Sequence, residues 1–338
     1  MNPKIKSLFW LLSKMLLAAG IISWLVYKNY DDLSTAVLKI SPPWLIAAAI
    51  LYGIHMCAGA WRWQILLKVQ KINLSFYEAL SLTLQGVFFS LVIRGGAIGG
   101  DFAKAGFIAS RTRKGEKLKG IFTILIDRVI GMIALFSLAG VVGAMSFSFL
   151  RSLSGYMEII LYALIAGCFL GLISAAALFL HRTLEKISLV KWILDHVDRL
   201  SKGALHNLMD AMDEFKSSYR SLIFCFIISL FLVHLLLAVV VYLIGHGSGA
   251  DNLTYPFSIL ATSMANTVGA LPITPSGVGT RDYVMMKLLD AKGITEQSTL
   301  IPLTFTAIFL TYSLIGGLIF AISRKHKKDD SGQMAEDR

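Results

Sequence analysis

Charged residues are scarce in this sequence. Asp, Glu, Lys and Arg together make up 16% of the 338 residues, whereas a soluble domain carries about 25%. Apolar residues make up 56% and are gathered into long runs, and about 20 such residues in a helix cross a hydrocarbon core roughly 30 Å thick. This composition excludes an ordinary soluble domain and predicts an integral membrane protein.

Cysteine is scarce as well, with Cys57, Cys168 and Cys225 as the only three. An odd number argues against a disulfide framework, and no two of them have the spacing of metal ligands. All three lie inside apolar runs. We interpret them as small core residues, because free cysteine behaves as a small apolar side chain.

Catalytic and nucleotide-binding patterns are missing from the sequence. We find no nucleophile paired with a base and no cluster of metal ligands, so we expect a protein that is not an enzyme and holds no cofactor or metal. The stretch RGGAIGGD, residues 94–101, is not a Walker A loop, because Asp101 stands where that motif has lysine, and it lacks the Rossmann spacing. The formal net charge of +11 does not indicate nucleic-acid binding, because the basic residues flank the apolar runs.

Apolar runs of two kinds dominate the chain. Six runs are continuous and predict spanning helices. Two further segments, 75–110 and 255–292, are each broken in the middle by glycine, proline and charged residues. The continuous runs cover residues 8–27, 43–66, 118–147, 156–180, 220–245 and 299–323.

Lysine and arginine near the ends of these runs indicate an orientation. They are concentrated before the first run, after the second, before 118–147 and after the last, which predicts cytoplasmic N and C termini and an even number of crossings. Because 102–110 is too short to span alone at about 1.5 Å per residue, we favour two re-entrant hairpins entering from opposite faces. We therefore predict an all-α polytopic membrane protein with six full spans and two re-entrant hairpins. Eight full spans would give the same orientation of the ends.

The polar parts of the chain predict no second domain. Residues 1–323 are expected to form a single transmembrane domain. Within it, residues 181–219 carry apolar side chains at helical spacing among mixed charges, which predicts an amphipathic cytoplasmic connector. Residues 324–338 are rich in charge and predict a disordered cytoplasmic tail.

Charged residues within the apolar runs carry the functional signal. Asp127 and Arg128 lie in the middle of the 118–147 run, where a charge costs about 2.5–3.5 kcal/mol on insertion scales. Neighbouring residues of a helix point about 100° apart, so each needs a partner elsewhere. Candidate partners stand at the two breaks: Arg94, Asp101, Arg281 and Asp282. We predict a charge cluster where the hairpin tips approach this helix; the alternative is a set of internal ion pairs that only fix the fold. Arg62, beside Trp63, is explained by snorkelling to the interface.

Glycine and proline at the two breaks predict an anion site. In the first break, glycines allow positive φ and close backbone approach, and the helix that follows, with Asp101 as N-cap, directs free N–H groups into the break. Two helix N-termini together with Arg94, Arg128 and Arg281 predict a cradle for a phosphate. Close helix packing is the alternative explanation of the first glycines. The break residues are Gly95, Gly96, Gly99 and Gly100, and then Pro272, Pro275, Gly277 and Gly279.

The chain resembles the lysylphosphatidylglycerol synthase transmembrane-region family over about residues 8–323. The resemblance lies in four stretches that follow in the same order: WRW, GGAIGGDFAKA, LIDRVIGMIAL and LPITPSGVGTRD. The Asp-Arg pair of the family matches Asp127 and Arg128, and its glycine-rich break with an acid matches the break that ends at Asp101. In the last stretch, Ser276 replaces a glycine and Asp282 a glutamate of the family pattern.

The resemblance implies the flippase half of this family, which moves a lipid headgroup across the bilayer. We therefore expect a lipid flippase that moves an anionic phospholipid, or a polyprenyl-phosphate-linked precursor, between the leaflets of a bacterial cytoplasmic membrane. The alternatives are a membrane-embedded subunit of a lipid-modifying transferase and a non-catalytic scaffold. The sequence has no counterpart of the soluble aminoacyl-transferring domain of the fused enzymes. The expected headgroup-binding residues are Arg94, Gly95, Gly96, Gly99, Gly100, Asp101, Asp127, Arg128, Pro275, Gly277, Gly279, Arg281 and Asp282.

Overall fold

The structure is a computed structural model. It describes residues 27, 41–93, 97–111, 117–153, 156–179, 188–200, 215 and 218–336. The regular elements in these ranges are all helical, and no strand occurs in them. The prediction of an all-α protein is confirmed. The predicted first span, 8–27, lies outside the described residues apart from Tyr27.

Twelve α-helices are numbered here along the described part of the chain. A π-helical segment, Ser229–Leu235, joins α8 to α9, and a 3-10 turn, Pro275–Gly277, lies between α10 and α11. The helices are α1 (Pro42–Val69), α2 (Phe76–Val92), α3 (Ala97–Arg111), α4 (Lys117–Met145), α5 (Phe147–Ser152), α6 (Tyr156–Phe179), α7 (Ser188–Leu200), α8 (Tyr219–Ile228), α9 (Leu236–Gly247), α10 (Tyr255–Gly269), α11 (Thr280–Ala291) and α12 (Leu300–Glu336).

Four stretches in the described part are long and apolar enough to cross a membrane: α1, α4, the continuous stretch from α8 to α9, and the Leu300–Ser323 part of α12. They coincide with four of the predicted runs, and α6 covers a fifth, 156–180. The first of these helices starts at Pro42 after Ser41. Proline suits the first turn, because the N–H that it lacks has no helical partner there.

The first broken segment forms an antiparallel pair of helices, α2 and α3, which we call hairpin 1. A capping box begins α2: Ser75 Oγ accepts from the Glu78 N–H at 3.2 Å, and the Glu78 carboxylate accepts from the Ser75 N–H at 3.1 Å. The helix ends at Val92, and Ile93 is extended. Arg94, Gly95 and Gly96, at the turn, lie outside the described residues.

The return limb of hairpin 1 begins earlier than the sequence predicted. It starts at Ala97, so Gly99, Gly100 and Asp101 lie within α3, and the prediction of Asp101 as an N-cap was wrong. Glycine disfavours helix, but packing overrides that preference here. A Cβ on Gly100 would lie 2.2 Å from the carbonyl oxygen of Gly86, so the two backbones touch. Close helix packing therefore explains this glycine.

The second broken segment has its break where the sequence predicted it and forms a pair of helices, α10 and α11, which we call hairpin 2. The limbs have 15 and 12 residues, so they extend about 22 and 18 Å, short of a hydrocarbon core of roughly 30 Å. Between them the chain turns with positive φ at Ser276, Gly277 and Gly279, at 53°, 72° and 85°. Glycine adopts this left-handed backbone without a steric penalty.

Hairpin 2 is built into the largest buried apolar cluster among the described residues. Its residues Leu260 and Leu288 pack with Val240 of α9, Phe305 of α12 and Tyr52 of α1. In turn, α1 contacts α2, α4, α9 and α12. Irregular backbone survives at membrane depth only when protein buries it or when it lines a cavity, and this packing supplies the burial.

The polar regions are described in part. Of the predicted connector 181–219, the structure describes α7 and a few residues near its end. The last helix, α12, continues to Glu336 through residues that the sequence analysis assigned to a disordered tail. No proline occurs after Pro302, so nothing in the backbone chemistry obliges this helix to stop at the end of the apolar run.

Candidate functional site

Charged side chains in the bundle group into two clusters. The hairpin-1 cluster joins α1, α3 and α4, and consists of Arg62, Asp101, Lys104, Asp127 and Arg128. The hairpin-2 cluster joins α11 and α12, and consists of Arg281, Asp282, Phe305, Thr306 and Phe309. The sequence analysis predicted one cluster at both hairpin tips; the described contacts form these two groups, and Arg94 lies outside the described residues.

Asp127 is paired with Arg62, which the sequence analysis had explained by snorkelling. Arg62 Nε donates to Asp127 Oδ1 at 2.8 Å, and Nη1 donates to Ser229 Oγ at 2.7 Å. Gly131, one turn after Asp127, lies against this guanidinium, since a Cβ there would be in ordinary contact with both terminal nitrogens at 3.5 Å. The snorkelling interpretation was therefore wrong. The signal for the pair was a buried acid in one run and a single arginine in another.

The π-helical segment brings two polar residues to this pair. Ser229 accepts from Arg62, and His234 Nε2 lies 3.0 Å from the carbonyl oxygen of Gly131. A carbonyl only accepts, so Nε2 is the donor. Residues five apart point to different sides of an α-helix, whereas the wider π turn brings them nearer to one side. The sequence pattern of an apolar helix contains no signal for this turn.

Arg128 points the other way, to Asp101 of hairpin 1. Its Nε and Nη2 donate to the two carboxylate oxygens of Asp101 at 2.6 and 3.0 Å. This two-pronged geometry is the strongest form of an arginine–carboxylate contact. The expectation that Arg128 finds a partner at the first break is confirmed. The Arg128 side chain is 46% exposed and that of Asp101 25%, so the pair is open at the surface of the bundle.

Lys104, which the sequence analysis did not single out, completes the hairpin-1 cluster. Lys104 is 7% exposed, and its ammonium lies 3.6 Å from the ring centroid of Trp63. The indole N–H of Trp63 donates to Thr123 Oγ1 at 3.0 Å, which fixes the ring. The available signal was spacing, because Lys104 follows Asp101 by three residues and so shares its side of α3.

Asp282 is the fully buried centre of the hairpin-2 cluster. Its Oδ2 accepts from the backbone N–H of Gly279 at 2.9 Å, at the start of α11. Its Oδ1 accepts from Thr306 Oγ1 at 2.7 Å, and from both Nε and Nη2 of Arg281 at 3.3 Å. These donors leave the carboxylate well satisfied, as a buried charge requires.

Arg281 is enclosed as tightly as its partner. It donates to Asp282 and to Thr306, and its guanidinium lies over the rings of Phe305 and Phe309, at 4.6 and 5.7 Å from their centroids. The predicted phosphate cradle required Arg281 beside Arg128. The structure instead commits Arg281 to α12, because α11 packs on that helix.

The two hairpins nevertheless meet at one point. Ser90 Oγ of α2 lies 2.6 Å from Ser276 Oγ in the turn of hairpin 2. Ser276 has φ 53°, in the region that favours glycine, and its hydroxyl supplies the contact that a glycine at this position lacks. Pro275 and Gly277, on either side, are buried. This contact places the turn of hairpin 2 next to the last turn of α2 in hairpin 1.

An open groove lies on α1. Its volume is about 400 Å³. The wall residue Trp61 directly precedes Arg62 in the chain. A concave and mostly apolar surface of this kind suits a hydrocarbon chain. The groove is formed by Ile54, Ala58, Trp61, Gln64, Phe76 and Leu232 among others.

Comparison with known proteins places the chain in a family. The model of the lysylphosphatidylglycerol synthase transmembrane region matches residues 11–318. A UPF0104 membrane protein of Pyrococcus horikoshii is 24% identical over 306 residues, which is 83% of this chain and 87% of that protein. A UPF0104 membrane protein of Methanocaldococcus jannaschii is 22% identical over 294 residues, 81% and 82% of the two chains. The chain therefore belongs to the lysylphosphatidylglycerol synthase transmembrane-region family of membrane proteins.

Proposed function

We propose that the protein moves an anionic lipid between the two leaflets, and that the headgroup crosses at the hairpin-1 cluster. The supporting observation is the openness of the Asp101–Arg128 pair. Arg128 lies about 16 Å along α4 from Lys117, near the middle of a core roughly 30 Å thick, and its side chain is 46% exposed. An accessible guanidinium at that depth can meet the headgroup of a lipid that enters the bundle.

The chemistry of the pair suits an exchange of anions. A guanidinium binds a phosphate with the same two-pronged geometry that it uses for a carboxylate. In the empty site Asp101 neutralises Arg128. During transport the lipid phosphate takes the place of the carboxylate, and Asp101 takes it back when the headgroup leaves. Asp127 keeps its partner Arg62 throughout, so the charge of that pair stays balanced.

The hydrocarbon tails remain in the apolar phase while the headgroup crosses. The groove on α1 offers an apolar surface for one hydrocarbon chain. The lipid is an anionic phospholipid or a polyprenyl-phosphate-linked precursor. The predicted setting is a bacterial cytoplasmic membrane. The chain is expected to have six spans, two re-entrant hairpins and cytoplasmic termini.

Leaflet exchange of fluorescent phosphatidylglycerol in proteoliposomes tests this proposal. The intact protein is expected to exchange the lipid, and Arg128→Gln to slow exchange about tenfold or more, since it removes a charge-assisted contact with the phosphate. Arg151→Gln on the short helix α5 is the matched control and is expected to exchange normally. Equal rates for Arg128→Gln and the intact protein, at equal folded fraction, would sink the proposal.

The transferase alternative gives a different result in the same vesicles. A subunit that modifies lipids changes the mass of a lipid when its donor substrate is added, whereas a translocase leaves every lipid mass unchanged. Mass spectrometry of the lipids before and after the exchange experiment separates the two functions. A new lipid mass that depends on Arg128 would favour the transferase.

A further inference from the structure

Lys104 has an environment unlike that of the other charged residues of its cluster. Arg62 and Arg128 each bind a carboxylate directly. For Lys104, no hydrogen bond and no carboxylate within the 4.0 Å of an ion pair occur in the part of the chain that the structure describes. Asp127 and Asp101 attract the ammonium from a greater distance.

The surroundings of Lys104 are otherwise apolar. Trp63, beneath the ammonium, belongs to a buried cluster with Leu82 and Ile108. The stem of Lys104 lies along α2 at Gly86, where a Cβ would be 3.8 and 3.9 Å from its Cβ and Cδ. The aromatic face attracts and positions a cation, but it supplies no counter-charge. Burial of a cation without a paired anion is costly.

The charges of the hairpin-1 cluster do not balance. Its three cations are Arg62, Lys104 and Arg128, and its two anions are Asp101 and Asp127. Each carboxylate is already bound to an arginine. Among these five described residues one positive charge is in excess, and Lys104 is the cation that binds neither carboxylate directly.

We propose that Lys104 is a phosphate-binding residue and that the site takes a lipid whose headgroup carries one net negative charge, as a phosphodiester does. This assignment rests on the proposed function and deepens it. The phosphate supplies the missing anion, and the ring of Trp63 holds the ammonium in place for it. Arg128 then guides the headgroup into the cluster. Lys104, which is buried, compensates the negative charge of the phosphate there.

Binding of phosphatidylglycerol to the purified full chain tests the assignment, with occupancy measured by native mass spectrometry. Lys104→Met keeps the length of the stem without the charge, and is expected to weaken binding roughly tenfold or more. Lys104→Arg keeps the charge and is expected to stay within about threefold of the intact protein. Lys292→Met is the matched control, because Lys292 also lies over an aromatic ring, Phe257 at 5.6 Å, and is exposed.

The outcomes separate this assignment from the proposed function. Equal binding by Lys104→Met and the intact protein would overturn the role of Lys104, even with exchange intact. Binding that depends on Lys104 without any leaflet exchange would keep the role and remove the translocase. If inorganic phosphate displaced bound phosphatidylglycerol as effectively as unlabelled phosphatidylglycerol does, the assignment of a lipid as the source of the anion would be overturned. Should Lys104→Met not fold, Lys104→Gln carries the same comparison with Lys104→Arg.

Discussion

The two charge clusters use the same residue types in opposite ways. In hairpin 2, the adjacent residues Arg281 and Asp282 bind each other, and their side chains are 7% and 0% exposed. In α4, the adjacent residues Asp127 and Arg128 bind partners on different helices, and Arg128 is 46% exposed. We call the hairpin-2 cluster the closed cluster and the hairpin-1 cluster the open cluster. A closed cluster fixes helices to one another. An open cluster retains a surface that a ligand can reach, and under the proposed function this is what distinguishes a transport site from a structural one.

The largest expected effect comes from breaking the closed cluster. Asp282→Asn leaves the buried guanidinium of Arg281 without its counter-charge, and is expected to lower the free energy of unfolding by about 3–5 kcal/mol. Equilibrium unfolding of the purified protein in detergent measures this loss of free energy. Asp290→Asn is the matched control on the same helix, since Asp290 is one third exposed and lies 3.9 Å from Lys287, a pair worth about 1 kcal/mol or less. Equal losses in both variants would contradict the closed-cluster account.

The turn of hairpin 2 is expected to tolerate little change at Gly277. An added Cβ would lie 2.5 Å from Gly269 Cα, and φ is 72°. Gly277→Ala is therefore expected to cost about 2 kcal/mol or more of unfolding free energy. Gly59→Ala is the control, because that site has nothing within 4 Å, and alanine there is expected to stabilise helix α1 by about 0.5–1 kcal/mol. A Gly277→Ala protein as stable as Gly59→Ala would show that the turn differs from the one described.

The open cluster is expected to respond in binding rather than in stability. Asp101→Asn breaks a partly exposed pair, which costs about 1 kcal/mol or less of unfolding free energy. The same change removes the carboxylate that competes with a lipid phosphate for Arg128. Phosphatidylglycerol is therefore expected to bind about tenfold more tightly, as measured by native mass spectrometry. Weaker binding, or destabilisation as large as that of Asp282→Asn, would contradict the exchange of anions.

The smallest effect is expected where the hairpins meet. Ser276→Gly removes the strain of a left-handed backbone but also loses one hydrogen bond to Ser90. The two contributions to the free energy of unfolding are expected to cancel to within about 0.5 kcal/mol. Ser90→Ala loses the same bond without relief and is expected to cost about 1 kcal/mol. A double-mutant cycle on unfolding free energies isolates the contact. Additive single effects would show that the two hydroxyls do not interact.

Much of the helical architecture could be predicted from the sequence. Long apolar runs locate α1, α4, α8–α9 and α12, because hydrophobic length is a local property of the chain. Proline and positive-φ glycine locate the turn of hairpin 2 for the same reason. The start of α3 could not be placed this way. Gly100 is helical because it packs on Gly86, and that contact is absent from any local pattern.

The sequence predicted which types of residue form the candidate site, but it did not predict which of these residues bind each other. The need of Asp127 for a cation followed from its depth, and Asp101 was among the partners expected near Arg128. Arg62 and Lys104 were missed, because their roles depend on how α1 and α3 face α4. The partner of Arg281 was missed for a related reason, since α11 turns this side chain toward Thr306 of α12.

The central claim is that lipid headgroups cross at the open cluster and not at the closed one. Leaflet exchange of phosphatidylglycerol by Arg128→Gln and Thr306→Val, each divided by its folded fraction, tests this claim most directly. Thr306→Val removes hydrogen bonds from the closed cluster without changing charge. The account predicts that Arg128→Gln remains folded and loses exchange, while Thr306→Val loses stability and keeps the exchange rate per folded molecule. Exchange that survives in Arg128→Gln and disappears in folded Thr306→Val would contradict it.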